Sequence, residues 1–302
     1  MKNRFSVIII SLVLLSWGCE KIIDINLQDK ERKIVVNGLM NPDSLVTVNL
    51  TKSLGILEND TFLFIDNAQV TLSLEGQQIG TLQYMGAGYY HLPDFFPSPG
   101  HDYRLDVSVK GMDPAYAVSE VPDKVIIQAV DTVSFYDEWG SRTLKMSLRF
   151  TDPVDMPNYY ALAVYATAKR FNYETGQYYP DKETHPVYFD RDDPFMEQSG
   201  TDYGGKMFFN DQLFAGNQKE LNFQINDYSL MESDTVWLEV RLEQVTRPYY
   251  LFVVSYDKYR NTSGNPFAEP VQVYSNIKGG YGFFSGFSAD SKNIVITGWG
   301  GH

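Results

Sequence analysis

Residues 236–243, VWLEVRLE, alternate strictly between an aliphatic residue and a charged or aromatic one. Such period-two alternation is typical of a β-strand that has one face in a protein core and the other toward solvent. The same alternation recurs in residues 46–50, 70–74, 103–109 and 144–150. Several short strands of this kind predict a mainly β protein.

Breaks rich in glycine and proline separate these predicted strands. We predict two β-sandwich-like domains, at residues 33–122 and 123–302. In the first, GYYHL at 88–92 and GHDYRL at 100–105 resemble the strands of transthyretin-like modules, which place aromatic rings in the sandwich. Immunoglobulin-like sandwiches use the same alternation, so the first domain is predicted to be immunoglobulin-like or transthyretin-like.

One short helix is predicted in the second domain. Thr246 suits the N-cap, Pro248 suits the first turn, and residues 249–258 carry apolar side chains at helical spacing. Turn-forming residues at 261–266 end the pattern.

The glycine-rich segment 279–287, GGYGFFSGF, is predicted to be a tight, bulged connection between strands. Its glycines would supply positive φ angles, and its phenylalanines would fill the core. The alternative is a docking edge or a ligand-binding loop.

Composition restricts the possible chemistry. The 302 residues carry a formal net charge of −13, which disfavours binding to nucleic acid phosphates. The only cysteine is Cys19, so an intramolecular disulfide or a multi-cysteine metal site cannot form. The four histidines match no zinc-binding spacing. We therefore expect no metal, no cofactor and no nucleic acid partner.

Residues 1–18 resemble the signal peptide of a bacterial lipoprotein. Lys2 and Arg4 precede an apolar stretch at 5–17, which is too short to span a bilayer. Cys19 follows at the position where such signals are cleaved and the new amino terminus receives acyl chains such as palmitate. We predict lipidation at Cys19 and a polar tether at residues 19–32, which would hold the folded chain off a membrane surface.

Four segments together resemble the domain-of-unknown-function family 4249, lipoproteins common in Bacteroidota. They lie at residues 19–25, 33–38, 265–271 and 274–284, the last two reading NPFAEPV and YSNIKGGYGFF. The resemblance implies a lipid-anchored outer-membrane protein, often encoded beside a TonB-dependent transporter. It carries no catalytic residue over to this chain. The resemblance implies neither the periplasmic nor the cell-surface face of the membrane for the anchored protein.

Residues 170–205 are polar and rich in tyrosine and aspartate, and are predicted to be a long functional loop. Aromatic rings suit sugar stacking and protein interfaces. A calcium site in the acidic run is less favoured than a solvated loop, because Pro194 interrupts the run and no EF-hand order is present. The candidate binding residues are Tyr173, Tyr178, Tyr179, Asp190, Asp192, Asp193, Asn265 and Phe267.

The leading hypothesis is a non-enzymatic lipoprotein that binds a small ligand or glycan, or docks to a TonB-dependent transporter. The first alternative is a glycan-active enzyme, for which a buried pair of carboxylates in a cleft would be the discriminating feature. The second is a structural envelope protein.

Overall fold

A computed structural model describes residues 31–55, 62–136, 142–154, 156–172, 174–226, 230, 235–265 and 267–297. The predicted signal peptide, Cys19 and Tyr173 lie outside the described residues. The described residues from Arg32 onward form one compact unit. Within the described ranges, no helix is long and apolar enough to cross a membrane.

Strands dominate the described residues, which confirms the prediction of a mainly β protein. The strands up to residue 122 are β1 Ile34–Met40, β2 Thr47–Lys52, β3 Leu63–Phe64, β4 Gln69–Leu74, β5 Gln77–Thr81, β6 Gln83–Gly86, β7 Tyr89–His91, β8 Asp102–Ser108 and β9 Ala115–Glu120. The later elements are β10 Ile127–Tyr136, β11 Arg142–Thr151, β12 Tyr159–Asn172, β13 Gln177–Pro186, β14 Asp190–Arg191, α1 Pro194–Ser199, β15 Thr201–Tyr203, β16 Lys206–Asn210, β17 Gln218–Asn226, β18 Thr235–Val245, α2 Arg247–Thr262 and β19 Tyr281–Thr297.

The first sandwich packs a sheet in the order β5-β4-β8-β9 against β1, β2, β7 and β6. Tyr90 and Tyr103 are buried in its core, as the sequence predicted. Their hydroxyls are satisfied by backbone groups, since Tyr90 accepts from the Ala68 N–H and donates to the Ile65 carbonyl. Tyr103 accepts from the Ser98 N–H at 2.8 Å. Each ring therefore fixes a loop to the core as well as filling it.

The second sandwich packs a sheet in the order β10-β11-β17-β14 against β12, β16 and β18. The four aliphatic side chains of VWLEVRLE are completely buried there, at Val236, Leu238, Val240 and Leu242. Burying each one stabilises the fold by about 1.5–3 kcal/mol. The alternation that predicted the strand thus also identifies its core face.

Strand β19 joins the two sandwiches. Its first part pairs in parallel with β1, from Val35 opposite Tyr281 to Met40 opposite Gly286, and its remainder pairs antiparallel with β18. The result is an 11-stranded sheet in the order β15-β16-β12-β18-β19-β1-β2-β7-β6, with β13 on β12 and β3 on β2. The division into two domains stays a prediction, because one strand serves both cores.

The glycine-rich segment is the start of this strand rather than a connection between strands, which corrects the prediction. Its expected properties are present, since Gly279 and Gly282 have φ angles of +79° and +94°. Phe284 is fully buried in the first core. The glycines allow neighbouring backbones to approach closely, so the segment can pair as a strand.

Helix α2 confirms the predicted helix and extends it to Thr262. It covers the face of the large sheet that points away from the sandwich cores. Tyr249 and Val253 are its buried residues, and the Tyr249 ring stacks on Phe283 at 5.5 Å. Thr246 is the N-cap by backbone geometry, but its side chain accepts a hydrogen bond from the Gly286 N–H instead of capping the helix.

The prediction of a long loop over residues 170–205 is wrong. This segment contains the end of β12, the strands β13, β14 and β15, and a second helix, α1. Nearly every residue of β13 is exposed, so neither face of that strand needs apolar residues. Without an apolar face the sequence has no period-two signal, which explains why the strand was missed.

Candidate functional site

The predicted acidic residues lie at and after β14 of the second sandwich, and two of them, Asp192 and Asp193, contact other side chains or a helix end. Asp193 is the N-cap of α1, accepting from the Phe195 N–H at 2.8 Å, and its other oxygen lies 3.3 Å from the Lys219 ammonium. Asp192 forms an ion pair with Lys145 at 3.1 Å. Asp190 lies on β14, opposite Gln224 of β17. Within the described ranges, no group of three or more His, Cys, Asp or Glu side chains could hold a metal ion.

Two of the predicted tyrosines, Tyr178 and Tyr179, lie on the other sheet of this sandwich. Tyr178 and Tyr179 are on β13, which pairs with β12, and they are 38% and 43% exposed. The Tyr179 hydroxyl accepts a hydrogen bond from the Asn172 amide at 3.0 Å. The aspartates and the tyrosines are therefore on different sheets.

Asn265 and Phe267 occupy a third place, the turn that follows α2. The Asn265 side-chain oxygen accepts from the Phe267 N–H at 3.0 Å, and the Phe267 side chain is 95% exposed. The candidate binding residues that the structure describes thus belong to three separate parts of the fold.

A cleft lies elsewhere, between the segment after β11 and the segment after β16. Its volume is about 640 Å³, which is within the range of small-molecule sites. It combines apolar and polar side chains. The lining residues are Pro153, Val154, Met156, Pro157, Tyr159, Asn210, Asp211, Gln212, Ala215 and Gly216.

A buried carboxylate, Asp152, ties together the two segments that border the cleft. One of its oxygens accepts a 2.5 Å hydrogen bond from the Tyr160 hydroxyl on β12. The other accepts from the Gly216 N–H at 2.7 Å. Asp152 is 1% exposed and is not a lining residue. Both of its oxygens are thus occupied by donors from the protein itself.

Asn158 forms a second connection across the cleft. Its N–H donates to Asp211 Oδ2 at 2.7 Å, and the Asp211 N–H donates back to the Asn158 carbonyl at 3.1 Å. The Asn158 side-chain amide donates to the Pro153 and Met156 carbonyls, and its oxygen accepts from Gln244. This dense network gives the cleft a rigid base.

Burial raises the pKa of Asp152, and the negative charge of Asp211 adds to the effect. Hydrogen bonds from Tyr160 and Gly216 act in the opposite direction but are weaker. Burial and the nearby carboxylate also raise the pKa of the Tyr160 hydroxyl. The site therefore contains two buried aspartates that interact electrostatically.

This pair resembles the discriminating feature of a glycan-active enzyme only in part. Two-carboxylate hydrolysis needs both groups to reach the substrate. Asp211 lines the cleft, whereas Asp152 lies behind it with both oxygens occupied. The arrangement suits a preformed binding cleft better than an acid–base pair.

Sequence reasoning missed this cleft entirely. Asp152 and Asp211 are 59 positions apart and stand among 38 acidic residues, so no spacing marks them. Only strand pairing brings them together, because β12 pairs with β16 from Tyr159 opposite Asn210.

Residues 20–293 match the family model described as "Domain of unknown function (DUF4249)". Among curated proteins, none matches this chain. A solved structure titled for manganese lipoxygenase of Gaeumannomyces graminis and zonadhesin of Komagataella pastoris is similar at 10% identity and a TM-score of 0.20, covering 88% of this chain and 96% of that one. The B domain of a biofilm associated protein is similar at 6% identity and a TM-score of 0.18, covering 86% and 85%.

Proposed function

The chain belongs to the DUF4249 family, and we propose from this premise that it is an exported outer-membrane lipoprotein of Bacteroidota that binds a ligand without transforming it. Acyl chains on Cys19 hold it at the membrane. It acts there as a ligand-binding or docking accessory of a TonB-dependent transporter.

One observation carries the choice of binding over catalysis. The cleft is large enough for a small ligand, yet of its two neighbouring carboxylates only Asp211 lines it, and both oxygens of Asp152 accept hydrogen bonds from the protein. The Asp152 oxygens hold Tyr160 and Gly216, and Asp211 holds Asn158. A general acid or base needs an oxygen within hydrogen-bond reach of the reacting group. Asp152 has no such oxygen free.

The membrane anchor is tested by fractionation. Cys19→Ala removes the acceptor of the acyl chains, so this variant should move to the soluble fraction and lose incorporation of labelled palmitate. Ser11→Ala, which lies in the apolar part of the signal, keeps Cys19 and should stay with the membrane. Membrane retention of Cys19→Ala would contradict lipid anchoring.

The transporter partnership needs a separate experiment. The tagged, full-length protein is cross-linked in cells, extracted with the outer membrane in detergent and captured. Mass spectrometry should identify a TonB-dependent β-barrel in the captured complex. Capture of the protein without any such barrel would overturn the partnership and leave the anchor unaffected.

A glycan-active enzyme is the second candidate, favoured only by the electrostatic interaction of Asp152 with Asp211. It predicts sugar hydrolysis that is lost in Asp211→Asn. We expect the wild-type protein and Asp211→Asn to release no reducing sugar from envelope or plant polysaccharides, because Asp152 cannot reach the cleft.

A further inference from the structure

The outer face of the first sandwich carries exposed aromatic residues that its core does not require. Tyr89 on β7 is 50% exposed, Tyr281 on β19 is 49% exposed, and Phe64 on β3 is 47% exposed. Phe62 is 72% exposed and stacks on Phe64 at 6.1 Å between ring centroids. Their positions are set by the registers of five neighbouring strands.

Two rows of side chains cross this face at right angles to the strands. The first row runs Phe64, Thr51, Val35, Tyr281, and the second runs Tyr89, Asn49, Asn37, Phe283. Residues directly opposite each other on paired strands point to the same side of a sheet. The rows are two residues apart, so the registers place them side by side.

The face therefore has two aromatic sides with an amide strip between them. Phe62, Phe64 and Tyr89 form one side. Gly88 packs against Phe64, which shows that β3 and β7 meet there. Tyr281 forms the other side. It lies three strands away from Phe64, which is about 14 Å, given the usual separation of neighbouring strands. Asn37 and Asn49 lie between the two sides on β1 and β2.

Helix α2 closes the face on one side. Phe283, the last member of the second row, lies beneath the helix, with its ring 4.4 Å from that of Phe252. Tyr281 lies beyond this cover, near the Lys33 ammonium at 5.9 Å from its ring. The exposed area thus extends from Tyr281 across the two asparagines to Tyr89 and Phe64. We call it the aromatic-amide face.

The aromatic-amide face has no charged side chain at its described strand positions, and the Lys33 ammonium lies at its margin beside Tyr281. The net charge is −13, and 21% of residues are charged. None of the described strand positions pointing to this face is Asp, Glu, Lys or Arg. These positions are Val35, Asn37, Thr47, Asn49, Thr51, Phe64, Tyr89, His91 and Tyr281.

We propose that the aromatic-amide face binds a neutral oligosaccharide or polysaccharide. Sugar rings have apolar faces that stack on flat aromatic side chains, and their hydroxyls bond to amides, which both donate and accept. Rings on two sides with amides between them match a chain of linked sugars lying across the strands. A protein partner chosen by electrostatics would need charged groups across the face, whereas its described strand positions carry none and Lys33 lies only at its margin.

The surroundings of the two asparagine side chains suit this role. Asn49 donates to the Ala87 carbonyl at 3.0 Å, which fixes the orientation of its amide beside Tyr89. Asn37 is exposed between Asn49 and the helix-covered Phe283. One amide is thus preoriented and the other is accessible, which limits the ordering that binding requires.

The test uses the full-length protein in detergent and native gels containing soluble starch, xyloglucan or hydroxyethylcellulose. At least one of these neutral polysaccharides should retard the wild-type protein. Tyr89→Ala and Tyr281→Ala should each weaken binding about tenfold, as loss of a central aromatic contact does. Tyr89→Phe keeps the ring and should bind like the wild type. Tyr188→Ala removes a 74% exposed ring outside the face and should have no effect.

Three results would overturn the inference. They are no retardation in any neutral gel, equal binding by Tyr89→Ala and Tyr188→Ala, and stronger retardation by the acidic polymer polygalacturonate. Light scattering could give a fourth such result. If the wild-type protein is a dimer and Tyr89→Ala is a monomer, the face is a contact between two copies of the chain. Thermal melts verify that the variants are folded, since both replaced rings are half exposed. Failure here would leave anchoring at Cys19 and the transporter partnership unaffected.

Discussion

Gly282 on β19 lies directly against the carbonyl oxygen of Val36 on β1, so closely that a Cβ atom at residue 282 would overlap it. The φ angle of Gly282 is +94°, a backbone conformation that residues with a side chain rarely adopt. This contact lies in the parallel pairing of β1 with β19, the pairing that makes one sheet of the two sandwiches.

Gly282→Ala should therefore reduce the free energy of unfolding by about 3–4 kcal/mol, because backbone strain and steric overlap act together. The matched control is Gly76→Ala, which has a φ of +83° but open space around its Cβ position. The control should lose only about 1–2 kcal/mol. Urea unfolding of both variants provides the comparison, and equal losses would show that the close approach to Val36 is unimportant.

The Lys206–Glu243 ion pair should be needed for stability. Glu243 is fully buried, and both its oxygens accept from the Lys206 ammonium at 2.7 Å. Lys206→Met leaves a buried charge without a partner and should cost about 3–5 kcal/mol. The double variant Lys206→Met/Glu243→Met should lose less unfolding free energy than Lys206→Met alone, because it no longer has the buried, unpaired carboxylate.

An exposed ion pair supplies the control for this cycle. Lys145 and Asp192 are 50% and 36% exposed, and Lys145→Met should change stability by less than about 1 kcal/mol. Chemical unfolding measures Lys206→Met, Glu243→Met, the double variant and Lys145→Met. If the double variant loses as much as the sum of its single variants, the pair is not coupled.

Asp152 should make stability depend on pH. Burial raises its pKa in the folded state, so the folded protein holds a proton that the unfolded chain has already released. Its contribution to stability is largest below the ordinary value of about 3.9 and falls as pH rises to the folded-state pKa. Above that pKa it is constant.

Asp152→Asn cannot titrate, so it provides the reference. The difference in unfolding free energy, wild type minus Asp152→Asn, should decrease as pH rises through this window. Urea unfolding from pH 3.5 to pH 7 measures it. A difference that does not change with pH would mean that Asp152 titrates normally.

Asp193 and Asp190 should respond differently to substitution. Asp193→Ala removes the cap of α1 and the contact with Lys219, and should cost about 0.5–2 kcal/mol. Asp190 is exposed on β14, and Asp190→Ala should stay within about 0.5 kcal/mol of the wild type. Thermal unfolding compares them. Equal stability of the two variants would remove the structural role assigned to Asp193.

Local patterns predicted those parts of the fold that have a clear apolar face. Residues 236–243 form β18 with the expected residues buried, and residues 247–262 form the helix that begins after Thr246. Strand β13 gave no such signal, because nearly all of its residues face solvent. The predicted binding residues lie apart for a related reason, since composition identified the aspartates and tyrosines but not where strand pairing places them.

The sequence by itself determined that this is a mainly β protein with tyrosines in its first core, and that it belongs to the DUF4249 family. These properties depend on residues close in the chain, where alternation and motif spacing act directly. Only the tertiary structure placed Asp152 near Asp211 and aligned Tyr89 with Asn49 and Asn37. Strand register decides such contacts, and it is set by pairing between segments that are distant in the chain.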